Sequence, residues 1–150
     1  MDIRSGGKYP ASALSNFSPN HFTFDGVECN SIEGFLQSLK FKSIEMQAEV
    51  CKLVGKAAKN KGKNKKWFKK QILYWKGVEI KRDSDEYQKL LDDMYNAVYE
   101  QCKSFRTALA ASVGCTLTHS MGKNKIYETV LTTNEFCSRL MKLRDNGNIN

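Results

Sequence analysis

Residues 14 to 41 read LSNFSPNHFTFDGVECNSIEGFLQSLKF, which parses as a loop, a tight turn and a helix in succession. Phe22-Thr23-Phe24 and Val27-Glu28-Cys29 flank Asp25-Gly26, a dipeptide that reaches positive φ easily and so suits a two-residue type I′ hairpin. A helix start follows. Asn30 or Ser31 can accept from the first free N–H groups, and Glu33 stands three residues after Asn30, the spacing of a capping box. Ile32, Phe35, Leu36 and Leu39 recur at helical spacing and define one buried face. Glu33, Gln37 and Lys40 stand at i, i+4 and i+7 on the face beside it. A carboxylate, an amide and an ammonium next to an apolar seam make either a site or a cap with a solvated edge. A capping box accounts for Glu33 with no function at all.

Upstream, residues 1–13 are polar and glycine-containing, an ordered lead-in or a frayed end. Downstream, Met46, Val50, Leu53, Val54 and Ala57 predict a second helix over 44–59. Lys61 to Asn64 reads as a turn and Lys65 to Ile72 as a short basic helix. Leu73-Tyr74-Trp75 and Val78-Glu79-Ile80 around Lys76-Gly77 predict a second hairpin. Asp83 or Ser84 then caps a long helix with Glu86 in its first turn, and Tyr87, Leu90, Leu91, Met94, Val98, Cys102 and Phe105 keep the helical period. Ser104 restarts it toward Ala111. After a loop containing Gly114 and Gly122, Thr132 and Glu135 form a capping box ahead of a last helix that carries Phe136, Leu140, Met141 and Leu143. There is no internal repeat and no linker rich in Pro, Gly or Ser. The expectation is a single domain over residues 1–150, α+β and predominantly helical, with one or two short β-hairpins.

A chain of 150 residues with 41% hydrophobic and 27% charged residues can bury a real core. No apolar run approaches the ~18 residues that span a bilayer, and no signal-peptide h-region is present, so neither a membrane partner nor export is expected. Cys29, Cys51, Cys102, Cys115 and Cys137 are dispersed without a C-x-x-C pair, which argues against a disulfide framework and structural zinc and fits a reduced, cytoplasmic compartment. Neither a metal nor another cofactor is expected. The net charge of +8 is local: Lys52, Lys56, Lys59, Lys61, Lys63, Lys65, Lys66, Lys69 and Lys70 form a run with no acid. Setting aside those nine of the 24 basic residues leaves 15 against 16 acidic ones, so the rest of the chain is about neutral.

That run over Lys52–Lys70 has three readings: a solvated surface, a contact for nucleic acid with Trp67 and Phe68 stacking on splayed bases, or a patch that gathers a phosphate-bearing substrate near a site. It contains no Arg, which argues against bidentate base reading. Trp75 is either a hairpin core anchor or a ligand platform. Arg82, at the mouth of the long helix, is either solvated or placed to hold phosphate beside free backbone N–H groups. His119 is a satisfied loop residue, or an acid, base or ribose partner. His21 has less to recommend it.

Ser15-Asn16-Phe17, Asp25-Gly26 and Ser31-Ile32-Glu33 followed by Gln37, Lys40 and Phe41 resemble the opening signature of the NADAR family of YbiA-like N-glycosidase domains, S-N-F, D-G, S-x-E, Q-x-x-K-F. The chain departs from that pattern further on. A W-x-G, R-x-S-x-x-Y stretch replaces the N-W-E region, and His119-Ser120-Met121-Gly122 replaces the Leu-Val-Glu and Trp-Gly region, as in a divergent subgroup. The resemblance implies an N-glycosyl hydrolase of the ADP-ribosyl glycohydrolase type, acting on an ADP-ribosyl or ribosyl-phosphate substrate. ADP-ribosylated guanine in nucleic acid is the first choice. A ribosylamino-pyrimidine phosphate of riboflavin synthesis, another nucleotide-derived small molecule, and a non-catalytic ADP-ribose or nucleic-acid binding module are the alternatives. The resemblance implies Glu33 as the carboxylate near C1′; around it this reading puts Asn16, Phe17, Lys40 and Arg82 on substrate, Trp75 stacking on the base, and His119 on ribose or leaving group.

Overall fold

Asp25 and Gly26 take φ of 49° and 78°, and strands β1 (Pro19–Phe24) and β2 (Val27–Ser31) fold back antiparallel with Phe22 opposite Cys29 and Phe24 opposite Val27. The computed structural model describes all residues, 1–150. Ahead of this hairpin lies one helical turn, α1 (Ala11–Leu14); after it comes α2 (Ile32–Ser38). Ser31 caps α2: its hydroxyl accepts from the Gly34 N–H at 2.9 Å and donates to the Leu53 carbonyl at 2.7 Å. A Cβ on Gly34 would stand 2.6 Å from that same carbonyl and 2.9 Å from the carbonyl of Cys51. Only glycine therefore lets α2 cross the end of α3 (Ile44–Cys51) at backbone distance.

The helix predicted over 44–59 is two helices. The chain leaves α3 at Lys52, runs extended through Val54, and re-enters helix at Gly55 with φ of 56° to form α4 (Gly55–Gly62). Leu53 has its carbonyl taken by Ser31, and the break turns α4 back against α2. The basic helix predicted from Lys65 shrinks to a 3₁₀ turn at Trp67–Lys69, because adjacent lysines repel and no apolar face anchors a longer helix.

Lys76 and Gly77, at φ of 51° and 85°, close the second hairpin, β3 (Ile72–Trp75) with β4 (Val78–Lys81). Gln47, buried, docks it on α2: its amide donates to Ser38 and Tyr74 carbonyls at 3.0 and 2.8 Å and accepts from the Lys76 N–H at 2.8 Å. Ser84 then caps α5 (Asp85–Gln101), whose Tyr87, Leu91, Met94, Tyr95 and Val98 are buried. At its far end Gln101 exchanges two 2.8 Å hydrogen bonds with the backbone of Thr23, so an amide side chain covers the edge of β1. After α6 (Lys103–Ala111), the capping box of Thr132 and Glu135 starts α7 (Thr133–Asn146), which Gly147 ends at φ of 80°. The architecture is the α+β one expected, seven α-helices with two small antiparallel hairpins. Ile3, Phe22, Phe35, Leu73, Leu91, Tyr95, Phe105 and Phe136 meet in one core, which orders the first residues as well. No helix is long and apolar enough to cross a membrane.

Candidate functional site

Four segments far apart in the chain enclose a cavity of about 520 Å³: the loop at 15–17, the polar stripe of α2, the end of α4 with the lysines after it, and the loop 119–131. Glu33 stands in its wall. Because Ser31 is the cap, Glu33 occupies the second helical position and Gly34 the third, so the capping box does not form at α2 and the carboxylate is left for other use. The Glu33 N–H donates to the Asn16 carbonyl at 2.9 Å, joining the loop to the helix. Its Oε2 accepts from the Gln37 amide at 2.7 Å. Burial pushes the Glu33 carboxyl above the usual carboxylate range; the Gln37 bond and the charges of Lys40, Lys59 and His119 offset this only in part.

Lys40, seven residues on from Glu33 and just past the end of α2, answers in the opposite direction. Burial depresses its ammonium, and Glu33 opposes that shift. Asn16 is oriented from behind. The buried Tyr95 hydroxyl donates to its Oδ1 at 2.9 Å, and burial holds that phenol far above its ordinary value, so it stays a donor. The Asn16 NH₂ group remains available to a ligand. His119 Nδ1 lies 2.6 Å from the Ile3 carbonyl. A carbonyl only accepts, so Nδ1 carries a proton there and Nε2 is the free ring nitrogen. The ring stands edge-on to Phe136 at 5.4 Å, and Asp2 fixes the loop by accepting from the Ser120 N–H and hydroxyl at 2.7 and 2.6 Å. Phe17 completes the wall, with the Lys59 ammonium 6.0 Å from its ring centre.

Asn16, Phe17, Glu33, Lys40 and His119 thus surround one space, and Trp75 and Arg82 are elsewhere. Trp75 is 7% exposed, packed against Phe24 and Phe35 at 5.4 and 5.1 Å, with its indole N–H given to Asp25 at 2.9 Å. It anchors one hairpin to the other, so no ring face is left for a base. Arg82 is fully buried and each of its three nitrogens donates to a protein oxygen: Nη1 and Nη2 hold Glu135 at 3.0 and 2.6 Å and Nε holds the Thr129 carbonyl at 2.9 Å. No phosphate can reach it. Sequence reasoning also passed over Gln37 as a site residue, although the Glu33-Gln37-Lys40 stripe was the signal for it. Arg4, Lys123 and Thr129 line the cavity with no local signal at all. Six cations (Arg4, Lys40, Lys59, Lys63, Lys65 and Lys123) line the space against two acids, Glu33 and Glu128, so its charge balance is positive and attracts anions.

This fold is that of a YbiA-like α+β protein. The NMR structure of the E. coli protein YbiA superposes with a TM-score of 0.63 over 97% of this chain and 82% of that one, at 19% identity. Sequence narrows the placement: a model of the bacteriophage protein GP30.3 family matches residues 8–145, and the chain belongs to that family. A 17.1 kDa protein of the Gp30–rIII intergenic region of Enterobacteria phage T4 is 37% identical over 147 residues, 97% of each chain. The YbiA-like fold implied by the opening signature is the fold observed, and the sequence family is the phage one.

Proposed function

We propose that the protein is an N-glycosyl hydrolase that cleaves the bond between ribose C1′ and a base nitrogen on a phosphate-bearing substrate. ADP-ribose attached to guanine in nucleic acid is the substrate this reading favours. The observation that carries it is one half-buried carboxylate, Glu33, with Oε2 held by Gln37 and Oε1 unbonded, facing a cavity ringed by cations. As the C1′–N bond breaks, its electron pair leaves with the base, and the ribose becomes an oxocarbenium-like cation. A carboxylate kept partly dry stabilises that cation more than a hydrated one does. Water then adds to C1′ and gives its proton to Glu33, which its raised pKa makes a stronger base than an exposed glutamate. Protonation of the departing base from solvent balances the step. The Asn16 amide and His119 Nε2 contact ribose oxygens, Phe17 lies against a ring, and Lys40 with the rim lysines holds phosphate.

The test is a release assay read by chromatography, with wild type and Glu33→Gln each given guanine-ADP-ribosylated DNA, ribosylamino-pyrimidine phosphate and NAD in separate tubes. Free ADP-ribose from the DNA, lost in the variant, is the expected result. Cleavage of the pyrimidine phosphate alone would transfer the activity to a metabolite. No release from any of the three would leave a binding module.

A further inference from the structure

A second hollow of about 260 Å³ opens beside the cavity and shares Lys40, Lys65 and Trp67 with it. Lys66, Lys69, Lys70 and Tyr74 complete its polar wall, so five lysines and two aromatic rings converge on it with no acid. Solvated lysines have no reason to converge on a concavity, where like charges repel. The arrangement is set by the backbone: the 3₁₀ turn at Trp67–Lys69 and the left-handed Gln71, at φ of 56°, gather the side chains that a continuous helix would have dispersed. Gln71 also pins this turn to the far cavity wall, donating to the Phe68 and Tyr127 carbonyls at 2.9 and 3.1 Å. The nine-lysine run is therefore divided. Lys59, Lys63 and Lys65 serve the cavity, Lys65, Lys66, Lys69 and Lys70 serve the hollow, and Lys52, Lys56 and Lys61 line neither.

We infer that the hollow takes the nucleotides next to the target, so that a single-stranded stretch of nucleic acid runs from the cavity across Trp67. The inference rests on the hydrolase reading only for what lies in the cavity. Its own support is the continuity of the two spaces, whose shared wall holds lysines suited to backbone phosphates and aromatic rings suited to bases. A free nucleotide needs only the cavity and leaves the five converging charges unanswered. With lysine and no arginine in the wall, binding tolerates any base sequence.

The experiment is fluorescence anisotropy with a labelled, unmodified single strand of about a dozen mixed-sequence nucleotides, a length within the usual site size. The variant Lys66→Gln/Lys69→Gln/Lys70→Gln is compared with Lys52→Gln/Lys56→Gln/Lys61→Gln, which removes the same charge from exposed positions outside both spaces. The first should weaken binding at least ~10-fold and flatten the slope of log affinity against log salt by about 2, at ~0.7 per lost phosphate contact; the second should do neither. Trp67→Leu should weaken binding by about 5-fold or more from lost stacking. Equal loss in both lysine variants, loss in neither, or a duplex of the same sequence binding as tightly as the strand would overturn the inference. The unmodified strand offers Glu33 no bond to cleave. A hollow that fails this test leaves hydrolysis standing, and a protein that hydrolyses nothing can still pass it.

Discussion

Glu33 owes its properties to the side of α2 on which a single hydrogen bond places it. With the cap at Ser31, its carboxylate is released from capping and set in the cavity wall, where burial raises its pKa against the pull of Gln37 and Lys40. A folded-state pKa above the unfolded one means that the native state holds this proton more tightly. The stability so gained is fully present below the unfolded value and lost as pH rises through the folded one. At neutral pH the wild type therefore carries a desolvation cost that glutamine does not. Glu33→Gln should lower turnover by about 10²–10⁴-fold while raising the melting temperature at pH 7, and thermal scans should show that gain shrinking as pH is lowered. A variant that melts earlier instead would return Glu33 to a structural role. In the wild type, activity should fall on the acid side with a midpoint above the ordinary carboxylate range.

Two glycines decide where α2 stands and how Glu33 is held, and they predict different failures. The atoms facing a Cβ at Gly34 are backbone carbonyls of α3 and the turn after it, which cannot yield. Gly34→Ala should cost about 1–3 kcal/mol by overpacking, read by urea unfolding, and should lift the stripe from the cavity. At Gly62 the obstructing atom is the carbonyl oxygen of the Gln37 side chain, a flexible end. Gly62→Ala should keep the fold but swing Gln37 off Glu33. Losing a bond that lowers the Glu33 pKa moves the acid limb of the activity profile to higher pH. An unshifted limb would show that Gln37 does not tune the carboxylate.

Across the whole molecule, a buried ionic network ties the hairpin β3–β4 to α5, α7 and the cavity loop. Arg82 leaves β4 to grip Glu135 of α7, which also accepts from Gln88 of α5 at 2.7 Å, while Arg82 and the Tyr87 hydroxyl hold the carbonyls of Thr129 and Val130 in the cavity wall. Burial works to raise the Glu135 carboxyl, but the bonds from Arg82, Gln88 and Thr132 outweigh it and hold the group below its ordinary value. Its contribution is present above the unfolded pKa and lost as pH falls through the folded one. Arg82→Met leaves a buried carboxylate unpaired and should cost about 3–5 kcal/mol at pH 7. Repeating the urea titration at lower pH should show a smaller difference between variant and wild type, since protonation of Glu135 removes the pair from both.

The sequence by itself determined what depends on neighbours within a few residues. Asp25-Gly26 and Lys76-Gly77 dictate their turns through φ alone, Thr132 and Glu135 their cap through an i, i+3 exchange, and Tyr87 through Val98 the buried face of α5 through helical period. The lysine excess was equally plain, being a matter of counting. Tertiary structure decided everything that required a distant partner. It chose Ser31 over Asn30 as the α2 cap by offering the Leu53 carbonyl, broke the helix over 44–59 at the same contact, and drew Trp75 inward against Phe24 and Phe35. It spent Arg82 on Glu135, 53 residues away, and brought Asn16, Glu33 and His119 around one space. A pattern of residues specifies which groups can bond or bury. Only packing of the whole chain chooses among the partners, because each buried polar group takes whichever satisfies it once water is gone.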